Sequence, residues 1–131
     1  VLAGDSSGAH LVSLLSADSA LVTVAGAKPW RATLALDSAA FDVDEIMRGR
    51  HFGFYDSAFG SDPQEWRAAS PLHRVDRSLA VPMLAVCSSR RDDSCDQAQA
   101  FAGHQGEVVA DGRHALATAC GGLGRCPLRG M

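Results

Sequence analysis

The chain has 131 residues, of which 47% are apolar and 21% are charged, an ordinary composition for one globular domain. Its formal net charge of −3 and its lack of any run of Lys and Arg argue against nucleic acid or an anionic membrane surface as the main partner. We therefore expect a neutral or weakly charged small molecule as the ligand. No apolar run approaches the ~20 residues that span a bilayer.

The cellular compartment and the oligomeric state stay open on the sequence alone. The first residues lack the basic flank and apolar core of a signal peptide, which slightly favours the cytoplasm. However, the chain begins with Val1, so a signal could have preceded it.

The four cysteines contain no CxxC pair, which argues against a zinc site, and we expect neither a metal nor a cofactor. Two of them could form a disulfide in an oxidising compartment. A buried free thiol is nevertheless the expected state of Cys87, because it ends an apolar run. The others are Cys95, Cys120 and Cys126.

The first predicted elements are a short strand and a helix. Only Val1, Leu2 and Ala3 precede Gly4, where a complete strand would be expected. From residue 9 through residue 15, apolar and small residues continue without a helix breaker, which predicts a helix that starts directly after Gly8.

Two short apolar segments, RATLALDS at 31–38 and VPMLAVCSS at 81–89, predict buried parallel strands. The long segment between them holds most of the aromatic residues and is expected to contain short helices near 44–48 and 63–69. A helix over 96–102 and a brief strand in GEVVA, residues 106–110, follow.

This alternation predicts an α/β fold with a parallel sheet, right-handed crossovers and flanking helices. The packed domain is expected to cover residues 1–112. Residues 113–131 are expected to form an irregular tail, because their final stretch, ACGGLGRCPLRGM, lacks periodicity and no acidic residue follows Asp111. This tail could be a flexible terminus or a stretch translated out of its original frame.

A glycine, serine, glycine pattern stands between the first predicted strand and helix. Gly4, Ser6 and Gly8 match GxSxG, the nucleophile elbow, in which a serine lies on a strained turn between a strand and a helix. Side chains at both glycines are expected to collide with the strand and helix that meet there. The helix amino terminus would stabilise an oxyanion, so the N–H of Ser7 is the expected first oxyanion donor.

The segment GDSSGAHL, residues 4–11, resembles the GDSAGAHL elbow of α/β-hydrolase-fold carboxylesterases and lipases. FGSDPQEWRAASPLHRV, residues 59–75, and the following VPMLAVCSS resemble the FGxxPxxWxxASPxxxV segment and next core strand of that family. The likeness covers roughly residues 1–101. It implies the C-terminal half of an α/β-hydrolase fold and the cleavage of carboxylic esters of small substrates.

The resemblance also implies a triad in the chain order serine, acid, histidine. The family places the acid in the loop after the strand that corresponds here to residues 83–87, and this loop reads SSRRDDSC. Asp92 and Asp93 both qualify, and Asp93 is slightly favoured because the family often reads RxDS at this point. Either carboxylate could instead cap the following helix or pair with Arg90 or Arg91.

The expected base is His114, because it follows the GEVVA strand. The interval from the acid is short for the family, however, and the family's SHG surroundings are absent. His104 is expected at a helix end, where a cation suits the helix dipole. His10 is expected to be structural, and His51 and His73 to lie on the surface or in a pocket lining.

The aromatic residues of the long insert would cover the site in this family, either as an acyl or aryl pocket or as the core of a small helical cap. The family's second oxyanion donor, an HGG-type loop, and its first strands have no counterpart here. We therefore interpret the chain as part of a larger hydrolase, with an exposed sheet edge and low stability by itself.

The leading hypothesis is a serine hydrolase that acts through an acyl-enzyme, with a small-molecule ester as its substrate. The alternative is a catalytically inactive hydrolase fragment or pseudo-enzyme that acts as a binding module. An ordinary α/β domain with a fortuitous glycine turn is a third interpretation.

Overall fold

A computed structural model of the chain describes residues 1–75, 79, 81–88, 92–105, 108–111 and 114–119. At residues 19, 92, 104, 105, 108–111 and 114–119 it describes the backbone alone. The strands of this part of the chain are β1 (Leu2–Asp5), β2 (Thr33–Leu36), β3 (Met83–Ser88), β4 (Val108–Asp111) and β5 (His114–Ala119). Its helices are α1 (Ser7–Ala17), α2 (Ser19–Val24), α3 (Val43–Arg48), α4 (Phe54–Phe59), α5 (Pro63–Ala68), α6 (Pro71–Arg74) and α7 (Asp92–Gln105).

The strands form one sheet in the order β1-β2-β3-β5-β4. β1, β2 and β3 are parallel, with Gly4 opposite Ala35 and Ala35 opposite Ala85. Their carboxyl ends therefore meet at one edge of the sheet, which we call the carboxyl edge. The α/β class and the two central parallel strands predicted from the sequence are confirmed. β1 forms an outer edge of the sheet, as expected, with Ala3 and Asp5 exposed.

The two last strands depart from the expected all-parallel sheet. β5 runs antiparallel to β3 and to β4, so β4 points in the same direction as β3 without pairing with it. The reason is the length of the connection. Only residues 112–113 separate β4 from β5, and so short a link joins antiparallel strands alone, since a parallel pair needs a crossover of a dozen residues or more.

Residues 114–119 also correct the expectation of an irregular tail over 113–131, because they form β5. Residues 120–131 lie outside the described part of the chain. β5 lies between β3 and β4 in the sheet. Its first residue, His114, pairs with Ser88 of β3 on one side and with Asp111 of β4 on the other.

The main core lies between the sheet and the helices α1 and α7. It contains Ala9 of α1, Met83 and Ala85 of β3, and Phe101 of α7, each no more than 2% exposed. The ring of Phe101 stacks on that of Phe41, with centroids 4.8 Å apart. Burying one such large side chain contributes about 1.5–3 kcal/mol, so these contacts hold the helices on the sheet.

Cys87 is buried, but it is not the free thiol expected from the sequence. It forms a disulfide with Cys95, eight residues later in α7. Because α7 begins soon after β3 ends and packs back on it, the two Cα atoms come within 5.1 Å, which is inside the range for a disulfide. The bond ties the end of β3 to the start of α7.

The long insert between β2 and β3 folds into short helices, including the two expected near 44–48 and 63–69. Its own small core contains Val43, Met47 and Tyr55, with Phe59 and Trp66 packed beside them. The insert is therefore a helical cap with a core, and it also lines the site described below.

Gly4 is where β1 and α1 come closest together. A Cβ atom built on Gly4 would overlap the backbone carbonyl of Gly8 and lie 2.8 Å from the N of Ala9. The crowding expected at Gly8 is wrong, because a Cβ there would meet nothing within 4 Å. Only the first glycine of GxSxG is required by the packing of the strand against the helix.

This difference gives a matched pair of variants. We expect Gly4→Ala to lower the free energy of unfolding by about 3 kcal/mol, because the strand and helix must separate. Gly8→Ala, in the first turn of α1, should change it by less than about 1 kcal/mol. Denaturant unfolding of both variants measures these values, and equal stabilities would contradict the close contact at Gly4.

Candidate active site

Ser6 lies on the turn between β1 and α1 with a backbone conformation that few residues adopt. Its φ is 53° and its ψ is −115°, and its side chain is exposed. A positive φ in a residue other than glycine costs about 1–3 kcal/mol. The turn is held by a hydrogen bond from the Ser6 N–H to the carbonyl of Leu36, 2.8 Å long. This is the strained strand-to-helix geometry of a nucleophile elbow.

The helix that follows Ser6 is α1 (Ser7–Ala17), which we call the elbow helix. Ser7 is the first residue of α1, which runs for 11 residues, and the first N–H groups of a helix have no partner inside it. The positive end of the helix dipole adds to their attraction for an anion. The backbone of Ser7 is therefore placed where the sequence expects an oxyanion donor, directly beside the serine.

A cavity of about 150 Å³ opens beside Ser6 at the carboxyl edge. We call it the serine cavity. Its lining includes His10 of the elbow helix, Asp37 at the end of β2, and Tyr55 and Phe59 of the cap. The fold thus brings the predicted nucleophile, one unpredicted carboxylate and the aromatic residues of the insert around one small space.

Asp37 is a site residue that was not predicted from the sequence. It follows β2 directly and has a positive φ of 55°. Its Oδ1 accepts hydrogen bonds from the Ser88 N–H at 2.9 Å and from the Ser94 hydroxyl at 2.8 Å. It therefore links the ends of β2 and β3 to α7. The signal was present in LALDS, where an acidic residue ends an apolar strand and so lies at the carboxyl edge.

Asp93 lies in a second cavity of about 330 Å³, which we call the acid cavity. This space is also lined by Arg50, His51 and Gln97, and it shares Ala39 and Tyr55 with the serine cavity. Asp93 is exposed and does not line the serine cavity itself.

Asp92 begins α7, and its side chain lies outside the described part of the structure. The Cys87–Cys95 disulfide holds both ends of the short segment that carries the two candidate acids.

His114 is placed at the carboxyl edge but not beside Ser6. It begins β5, opposite Ser88, and its side chain is not described. β2 and β3 lie between β1 and β5. Three strand spacings, roughly 14 Å in all, therefore separate the His114 backbone from β1, the strand that precedes Ser6. Ser6 and the segment that carries Asp92 and Asp93 both lie close to the helical cap. The backbone of His114 lies farther along the carboxyl edge.

His10 has the structural contact expected of it. Its Nε2 donates a hydrogen bond to the carbonyl of Ala69, 2.8 Å away, and joins the elbow helix to the cap. Burial lowers the pKa of His10 below its usual 6.5, although the hydrogen bond to Ala69 opposes this. The ring is therefore an uncharged wall of the serine cavity and a weak base.

His51 lines the acid cavity and has both ring nitrogens engaged. Nδ1 donates to the carbonyl of Gly49 and Nε2 to Oδ1 of Asp56, both at 3.0 Å. The hydrogen bond to Asp56 and then that to Gly49 raise the pKa of His51 above 6.5. In the imidazolium form, which both acceptors favour, neither ring nitrogen has a lone pair for a proton, so His51 is not placed as a general base.

Comparisons of the chain with protein-family models, curated proteins and solved structures find no match. Within the described ranges, no helix has both the length and the apolar character needed to cross a membrane. The same part of the chain contains no group of three His, Cys, Asp or Glu residues arranged to hold a metal ion.

The pairing of His51 with Asp56 gives a pH-dependent prediction. Asp56→Asn should lower the His51 pKa towards 6.5, because the neutral amide does not favour the imidazolium. Since the folded-state pKa is raised, the stabilisation is complete below about pH 6.5 and is lost as the pH rises through the folded-state value. An NMR titration of His51 measures the shift.

Glu65→Gln is the control for this titration, because it removes a carboxylate from an exposed position on α5 that does not contribute to the raised pKa of His51. It should leave the His51 titration unchanged. A His51 pKa that is the same in Asp56→Asn and in the unaltered chain would contradict the assigned hydrogen bond.

Proposed function

We propose that the chain carries the C-terminal half of an α/β-hydrolase domain and that it is part of a serine hydrolase acting on carboxylic esters of small substrates. The observation that carries the proposal is the backbone of Ser6. This exposed serine has φ 53° and ψ −115° on a strand-to-helix turn, at the mouth of a cavity. Strained backbone of this kind clusters at active sites, where it is part of the mechanism.

The proposed reaction has two steps. As Oγ of Ser6 attacks the carbonyl carbon, its proton passes to a general base and the carbonyl electron pair moves to oxygen. When this oxyanion collapses, the bond to the alcohol oxygen breaks, and the base returns the proton to the leaving alcohol. Water then attacks the acyl-enzyme in the same way, which releases the carboxylic acid and restores the serine.

The other roles follow the order expected in the sequence. The N–H of Ser7, at the start of α1, would donate to the oxyanion. Asp93, or Asp92 beside it, would orient the base and stabilise its charged form. His114 is the proposed base, and it must cover the distance from β5 along the carboxyl edge to reach Ser6.

One observation favours the alternative function, an inactive hydrolase fragment that binds ligands. β2 and β3 separate the strand before Ser6 from the strand that begins with His114. A serine without a base in reach is a weak nucleophile. The same cavity would then bind a small molecule without cleaving it.

Turnover of p-nitrophenyl acetate tests the proposal. Ser6→Ala should lower kcat/KM by at least about a thousandfold, because the attacking atom is removed. Ser61→Ala is the matched control, because Ser61 is exposed and lines neither described cavity. It should keep the activity of the unaltered chain.

Undiminished turnover in Ser6→Ala would contradict the assigned nucleophile. No turnover by the unaltered chain, together with saturable binding of the ester, would favour the inactive binding module.

A further inference from the structure

The serine cavity has the size of a single aromatic ring. Its volume is about 150 Å³, which is close to that of an apolar protein cavity that takes up one benzene molecule. Unlike that cavity, it is also lined by Ser6, Ser7 and Ser38. Alanines keep this space open, since Ala39, Ala40 and Ala58 all line it. A longer side chain at any of the three would occupy part of the volume.

Aromatic rings form one wall of the serine cavity. The rings of Tyr55 and Phe59 stack with centroids 5.9 Å apart, and His10 meets Phe59 edge to face at 5.5 Å. Phe54 packs on Tyr55 at 4.2 Å and is exposed, so it lies towards solvent. Such a wall offers both faces and edges to another ring, which adds to the binding that comes from burial alone.

The charges around the serine cavity select against an anionic group. His10 is neutral at pH 7, because burial lowers its pKa. Asp37 places a carboxylate in the lining, which would repel a second negative charge. The carboxylate therefore disfavours an anionic occupant, and the alanines and aromatic rings of the lining favour an apolar group no larger than one ring.

The relation between the two cavities indicates which half of an ester would occupy each. In acyl transfer, the base returns its proton to the leaving alcohol, so that alcohol faces the side of the acid and base. Asp93 lies in the acid cavity and not in the serine cavity. The acyl group, which stays on Ser6, would then point into the serine cavity.

We propose that the serine cavity is the acyl subsite and that it selects an uncharged acyl group of benzoyl size. This inference rests on the proposed function, and it adds the class of acyl group that the site accepts. Long alkyl chains would exceed the cavity's volume of about 150 Å³.

The test compares kcat/KM for p-nitrophenyl benzoate and p-nitrophenyl acetate in the unaltered chain and in two leucine variants. Ala58→Leu fills the cavity from an exposed position on α4 and should lower the benzoate to acetate ratio by at least about tenfold. Ser57→Leu adds a leucine at the neighbouring position, which lines neither described cavity, and should leave the ratio unchanged.

A third variant tests the opposite change in volume. Phe59→Leu removes part of the wall and should raise the ratio of 2-naphthoate to benzoate turnover several-fold. The acyl subsite would be overturned, with the proposed function left in place, by one result. That result is a benzoate to acetate ratio in Ala58→Leu and a 2-naphthoate to benzoate ratio in Phe59→Leu that both equal those of the unaltered chain. If the unaltered chain shows no ester turnover at all, both the acyl subsite and the proposed function are overturned.

Discussion

The close contact between β1 and α1 at Gly4 is the constraint on which the candidate site depends. No side chain fits between the strand and the backbone of the first helical turn, so the chain must turn sharply within one residue. That residue is Ser6, which adopts a positive φ and is anchored by its N–H to Leu36 of β2. The contact therefore fixes the serine outside the sheet, with the helix amino terminus directly beside it.

The sheet and the cap arrange the remaining groups around that serine. Asp37 ends the second parallel strand and connects it by hydrogen bonds to Ser88 and Ser94, while the disulfide of Cys87 holds α7 on the third strand. The cap is joined to the elbow helix through His10. Together these links position the aromatic wall beside the serine and hold the segment that carries the two candidate acids.

The elements that could be predicted from the sequence are those set by local pattern. Apolar runs bounded by Pro82 and Asp37 predict the two central strands, and the unbroken run after Gly8 predicts α1. β5 itself was missed, because residues 113–131 were interpreted as an irregular tail, and its antiparallel direction depends on the two-residue link after Asp111. Similarly, the distance from Ser6 to His114 follows from strand order, which a linear order of serine, acid and histidine leaves undetermined.

The central claim is that Ser6 is an activated nucleophile, and covalent labelling tests it most directly. The chain would be treated with a fluorophosphonate probe, digested, and analysed by mass spectrometry to locate the modified residue. The account predicts one adduct on the peptide that contains Ser6, and none in Ser6→Ala. An unlabelled chain, or labelling that persists in Ser6→Ala, would contradict it.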